Sequence, residues 1–112
     1  MGVVADVRRY DVYLVNLAPT LGSEIKKTRP CLVISPDEMN RHIRTVIIAP
    51  MTSVTRDYPS RVNVTFQRKK GQVVLDQIRT VDKARLAQHL GRLPELSCRE
   101  VSGLLQHMFA YE

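Results

Sequence analysis

The 112-residue chain has no tryptophan, only two cysteines and 5% aromatic residues. Cys31 and Cys98 cannot build a disulfide framework and are too few for a cysteine-rich zinc site, so they read as reduced, small hydrophobes. His42, His89 and His107 stand at no metal-ligand spacing. No metal or cofactor is called for. Nucleotide-binding glycine loops, a Walker-type lysine and the paired histidines of many metal-free ribonucleases are all missing. Apolar runs such as Cys31-Leu32-Val33-Ile34 and Val46-Ile47-Ile48-Ala49 fall far short of the ~20 residues that span a bilayer. Mean hydropathy is −0.17. The opening Met1-Gly2-Val3-Val4-Ala5-Asp6 reaches an acid before a secretory apolar segment could form. The expectation is a soluble, cytoplasmic protein with no membrane segment.

Acidic residues are also in deficit, 11 Asp+Glu against 17 Lys+Arg, for a net charge of +6 and a pI near 9.7. Such a surplus suits a polyanion, because Lys and Arg displace the counterions around phosphates. An acidic protein segment would serve equally well. The length fits one domain, 1–112, and the 44% hydrophobic and 25% charged fractions exclude disorder.

β-Formers dominate the first half. Asp11–Leu17 alternates loosely and reads as a strand. A long polar loop, Ala18–Pro30, leads to the apolar run Cys31–Ser35, which suits a strand buried on both faces. Ser35 and Pro36 then look like the cap and first position of a helical turn through Arg41. Thr45–Ala49 is a buried strand ended by Pro50, and Met51–Pro59 is a polar loop. Arg61–Phe66 alternates cleanly. Arg68-Lys69-Lys70-Gly71 reads as a solvated turn. Gln72–Val81 is one long strand, or two with an irregularity near Gln77. The C-terminal part of Ala84–Leu93 is a strand. Glu95–Met108 is a helix with Leu96, Val101, Leu104, Leu105 and Met108 along one stripe. This order points to a small, mainly β, antiparallel barrel closed by a C-terminal helix.

Several polar residues stand near strand ends. Pro30 restricts Arg29 to an extended backbone where loop meets sheet, and a guanidinium there either forks onto phosphate oxygens or pairs with a carboxylate such as Glu24. Thr52 and Ser53 either donate to phosphate or shape a turn. Asp76, in Asp76-Gln77-Ile78-Arg79, is either a general base or an acceptor for loop N–H groups.

The ordered blocks resemble the MazF/PemK family of toxin endoribonucleases. They run from Arg9-Tyr10-Asp11-Val12-Tyr13-Leu14-Val15-Asn16-Leu17-Ala18-Pro19-Thr20 through Gly22-Ser23-Glu24 and Thr28-Arg29-Pro30. Ala49-Pro50-Met51-Thr52-Ser53, Tyr58-Pro59, Asp76-Gln77-Ile78-Arg79-Thr80-Val81-Asp82-Lys83 and Gly91-Arg92-Leu93 complete the set. The resemblance implies an SH3-like barrel of the CcdB/PemK type, a homodimer, and metal-independent cleavage of single-stranded RNA. Attack of a ribose 2′-OH would leave a 2′,3′-cyclic phosphate and a 5′-OH. It implies Arg29 and Thr52 as the principal catalytic residues and Asp76 as a residue implicated in some members and replaced in others; by its chemistry either Asp76 or Glu24 is a candidate acceptor for the 2′-OH proton. Val74 and Leu75 stand where some members carry a second arginine, which leaves Arg79 as the nearest basic substitute. RNA contacts are expected from Lys26, Lys27, Thr28, Ser53, Arg56, Tyr58, Gln77 and Arg79, with Asn40 a further candidate and packing the safer role for Tyr58. The implied protein partner is a cognate antitoxin with an acidic tail.

Two rivals share parts of this picture. A CcdB-like gyrase poison has the same barrel but depends on a Trp-containing C-terminal end, whereas this chain finishes Met108-Phe109-Ala110-Tyr111-Glu112. A non-cleaving RNA-binding module would not need both Arg29 and Thr52.

Overall fold

The computed structural model describes residues 6–112; the reading of Met1–Ala5 lies outside them. Seven strands, β1 (Asp11–Asn16), β2 (Thr28–Val33), β3 (Thr45–Thr52), β4 (Arg61–Phe66), β5 (Lys69–Val74), β6 (Arg79–Asp82) and β7 (Leu86–Arg92), are joined by two helices, α1 (Asp37–His42) and α2 (Glu95–Met108). All pairings are antiparallel, in the order β4-β5-β3-β2-β1-β7 with β6 also on β3. The sheet curls into a half-barrel, the mainly β architecture expected.

β3 makes the curl possible. Its first half, Thr45–Ile48, pairs with β6, and its end, Met51–Thr52, pairs with β5. Between them a single 3-10 turn, Leu75–Gln77, interrupts what the sequence suggested could be one strand. The strand does not stop at Pro50. Ile34 N–H donates to Ile47 O, so ladder alternation turns the position-50 nitrogen away from β2, toward the gap between β6 and β5. A proline there forfeits no ladder bond.

The apolar runs are explained by two cores, one on each face. Val12, Leu32 and Ala49 are level across β1, β2 and β3 and pack toward Val62, Val73 and Val101. Tyr13, Val15, Cys31, Val33 and Ile48 face the opposite way, with Val46, Val81 and Leu86. The central strands are therefore buried on both sides, as continuous apolar runs require.

Other expectations need correction. The long loop ends at Lys27, since Thr28, Arg29 and Pro30 already pair with Asn16, Val15 and Leu14. Ser35 makes no helix cap. Its hydroxyl donates to Asn40 Oδ1 at 2.6 Å and accepts from Ile47 N–H at 3.0 Å, tying α1 to β3. In α2, Leu96 is exposed and Cys98 takes the buried position; at 100° per residue Leu96 points away from the Cys98–Val101–Leu105 stripe.

Candidate active site

β2 and β3 run antiparallel, so the beginning of one lies beside the end of the other. Their last register pair is Cys31 with Pro50. Continuing the register by two residues brings Arg29 level with Thr52. Both line a cleft of about 250 Å³, floored by Pro30, Met51, Val64 and Phe66 and edged by Ser53, Lys69 and Lys70. Among the described residues no carboxylate lines it.

Arg29 is half-buried, and its Nε donates to Lys26 O at 3.1 Å. Among the described residues it has no carboxylate within 4.0 Å, so the pairing with Glu24 does not form. Glu24 instead accepts from Leu21 N–H at 2.7 Å, while its own N–H reaches Leu21 O. That turn needs Gly22 at φ 57°. Thr52 Oγ1 accepts from Val54 N–H at 3.1 Å. It thereby shapes the turn and still has its hydroxyl hydrogen to donate into the cleft. β5 comes very close here: a Cβ on Gly71 would lie 2.5 Å from Thr52 O.

The sequence matches the family of PemK-like, MazF-like toxins of type II toxin–antitoxin systems over residues 8–109. The chain belongs to this family. It is 37% identical over 105 residues to the endoribonuclease MazF of Staphylococcus epidermidis, covering 88% of each protein. The solved MazF of Deinococcus radiodurans is 28% identical and superposes with a TM-score of 0.81, over 94% of this chain and 97% of that one. A mycobacterial endoribonuclease solved with its cognate antitoxin shares the fold, at 23% identity and a TM-score of 0.79 over 95% and 99%.

Within this member of the family, the other predicted residues divide between loops and clamps. Lys26, Lys27 and Thr28 are exposed on the chain entering Arg29, with Lys27 O accepting from Leu17 N–H at 3.1 Å. Ser53, Arg56 and Tyr58 are exposed on the β3–β4 loop. Tyr58 packs its ring against the Arg61 guanidinium, 4.8 Å from the ring centroid. Gln77 Oε1 accepts from Ile25 N–H at 2.8 Å, and Arg79 Nη1 donates to Leu17 O at 3.1 Å. Both therefore hold the β1–β2 loop that carries Lys26 and Lys27.

Asp76 does not line the cleft. Its carboxylate accepts from Ser60 Oγ at 2.9 Å and from Arg61 Nε at 3.2 Å. Burial works to raise its pKa, but the Arg61 and Ser60 hydrogen bonds outweigh that and hold it below the usual carboxylate range. Burial pushes the Cys31 thiol up to about 12, against the pull of the Arg79 and Arg29 guanidiniums, so it stays protonated at neutral pH. Asn40 is 1% exposed and spends its side chain on Ser35, which takes it out of the RNA-reading set.

Lys69, Lys70 and Gln72 were missed. The two lysines belong to β5, because the turn is confined to Gln67 and Arg68, both at positive φ. Gln72 is buried and binds the backbone of Arg56 twice, accepting from its N–H at 3.0 Å and donating to its O at 2.9 Å. A two-residue hairpin count after the Arg61–Phe66 alternation was the available signal for the lysines. No sequence signal marks Gln72 as a loop clamp. No helix among the described residues is long and apolar enough to cross a membrane.

Proposed function

We propose that this family member is the toxin of a type II toxin–antitoxin pair, a cytoplasmic, homodimeric endoribonuclease that cuts single-stranded RNA without a metal. The observation that carries this reading is that Arg29 and Thr52 line one cationic cleft, with no acid on its walls among the described residues.

The ribose 2′-oxygen attacks the adjacent phosphorus, the P–O5′ bond breaks, the 2′-OH proton is lost and O5′ gains one. Negative charge gathers on the non-bridging oxygens on the way. Arg29, without a competing carboxylate, stabilises that charge; one such preorganised donor is typically worth ~3 kcal/mol. Thr52 donates its hydroxyl to the phosphate and keeps it in line for attack. Asp76, tied to Arg61 and Ser60, and Glu24, tied to Leu21, are assigned to holding the surrounding loops. Lys26 and Lys27 on the β1–β2 loop, Thr28 at the start of β2, and Ser53, Arg56 and Tyr58 on the β3–β4 loop would meet splayed bases and phosphates, the usual way single-stranded RNA is read. Gln77 and Arg79 serve this contact through the loop they clamp.

The family match over 8–109 supports a single toxin domain across 1–112. The net charge of +6 suits an antitoxin whose acidic segment would cover the same cleft.

The test is incubation of the purified protein with a long, unstructured RNA in EDTA, with cut ends mapped by primer extension and their chemistry determined. Discrete cuts with cyclic or 3′-phosphate ends are expected. No cuts across a diverse RNA would refute the nuclease reading in favour of a silent RNA binder or a protein-targeting toxin, which a gyrase assay separates.

A further inference from the structure

We propose that the β4–β5 hairpin supplies a second RNA subsite. Lys69 and Lys70 take a phosphate next to the scissile one, and the half-buried Phe66, directly opposite Lys69, takes the base between. This rests on the nuclease reading above and extends the same cleft.

Charge is the first support. Among the described residues Arg8, Arg61, Arg92 and Arg99 each have a carboxylate within 4.0 Å, whereas Arg29, Lys69 and Lys70 have none. Three cations around one acid-free cleft create a positive potential that a single anion at Arg29 does not exhaust. The floor is the second. The half-buried Phe66 presents aromatic surface in the part of the cleft wall that β4 builds, over the buried Val64, and unpaired bases stack on aromatic surface with little regard to sequence.

Spacing is the third. Thr52 is level with Gln72 on β5, so Lys70 lies two residues, ~7 Å, further along the strand. That is a step of one extended nucleotide away from the phosphate held by Thr52. The lysines also ride on a fixed support. The turn at Gln67 (φ 50°) and Arg68 (φ 67°) uses the left-handed backbone of a two-residue hairpin. Gln67 Nε2 fastens it to β7 by donating to Leu90 O at 2.9 Å.

Steady-state cleavage of a short, labelled single-stranded RNA spanning one mapped cut site, at several salt concentrations, tests the subsite. Wild type is compared with the double variants Lys69→Ala/Lys70→Ala and Lys69→Arg/Lys70→Arg. The alanine pair should raise KM more than it lowers kcat. It should also flatten the dependence of log KM on log salt by about 0.7, because each phosphate neutralised on a single strand adds ~0.7 to that slope. The arginine pair should restore the slope. Both lysines are exposed, so thermal melts should match wild type. An unchanged KM and slope in the alanine pair, with wild-type cleavage intact, would overturn the subsite and leave the nuclease reading standing. The same unchanged values with weakened binding of an acidic peptide would assign the lysines to a protein partner instead. Failure of the wild type itself to bind or cut the RNA at any salt would overturn both readings.

Discussion

Replacing Gly71 by alanine probes how tightly the fold holds Thr52. The new methyl group would begin 2.5 Å from Thr52 O, 3.3 Å from its carbonyl carbon and 3.7 Å from Ser53 Cα. Ordinary contact begins near 3.4 Å, so the two strands must part by 0.5–0.9 Å, the interval from 2.5 to 3.0–3.4 Å. The clash is with backbone, and no side-chain rotation relieves it. Overpacking of this kind costs about 1–3 kcal/mol of stability. The larger effect falls on catalysis. A misplacement approaching 1 Å at an aligning group costs on the order of 10²-fold in rate, and the displaced atoms here belong to Thr52 itself. Initial cleavage rates on a short RNA, paired with thermal melts, separate the two effects. Gly103→Ala is the control, because nothing lies within 4 Å of a Cβ there. Being helical, it should gain about 0.5–1 kcal/mol in stability with cleavage unchanged. If Gly71→Ala cut RNA at the wild-type rate, the strand contact would not be what positions Thr52.

Arg29→Ala should lower kcat by about 10²–10³, the worth of one preorganised donor, with an unaltered melt, since among the described residues its one side-chain bond goes to Lys26 O; single-turnover kinetics and melting check both halves. Ser35→Ala leaves the Ile47 N–H without its hydroxyl acceptor and Asn40 Oδ1 without its donor. It should cost about 1–3 kcal/mol in urea unfolding, while any surviving folded fraction cuts RNA normally. Asp76 has a folded pKa below its unfolded one, so its ion-pair stabilisation is complete above the ordinary carboxylate range. That stabilisation is lost as pH falls through the lowered folded value. In urea midpoints measured from pH 7 downward, Asp76→Asn should start lower and fall less steeply with acid; parallel curves for the two proteins would contradict the role.

Sequence alone determined the strand-rich architecture, because alternation at Arg61–Phe66 and the doubly apolar runs at Cys31 and Val46 are local consequences of which faces are buried. It also determined α2, whose stripe repeats at helical spacing, and the irregularity at Gln77. The ordered motif blocks offered Arg29 and Thr52 as candidates, and the fold brings both to one cleft. Strand ends and partners were decided by tertiary structure. Pro30 and Pro50 look like strand breakers until the ladder shows where the position-50 nitrogen points, and no local pattern contains that. Asp76 and Gln77 look like site residues in one dimension, yet their partners, Arg61 and Ile25, stand 15 and 52 residues away. Lys69 and Lys70 show the converse. A run of charges looks solvated until the hairpin turns at Gln67 and Arg68 and sets both lysines on the wall of the cleft that Thr52 also lines. A side chain's role depends on what the folded chain places opposite it, and for these residues that partner is remote in sequence.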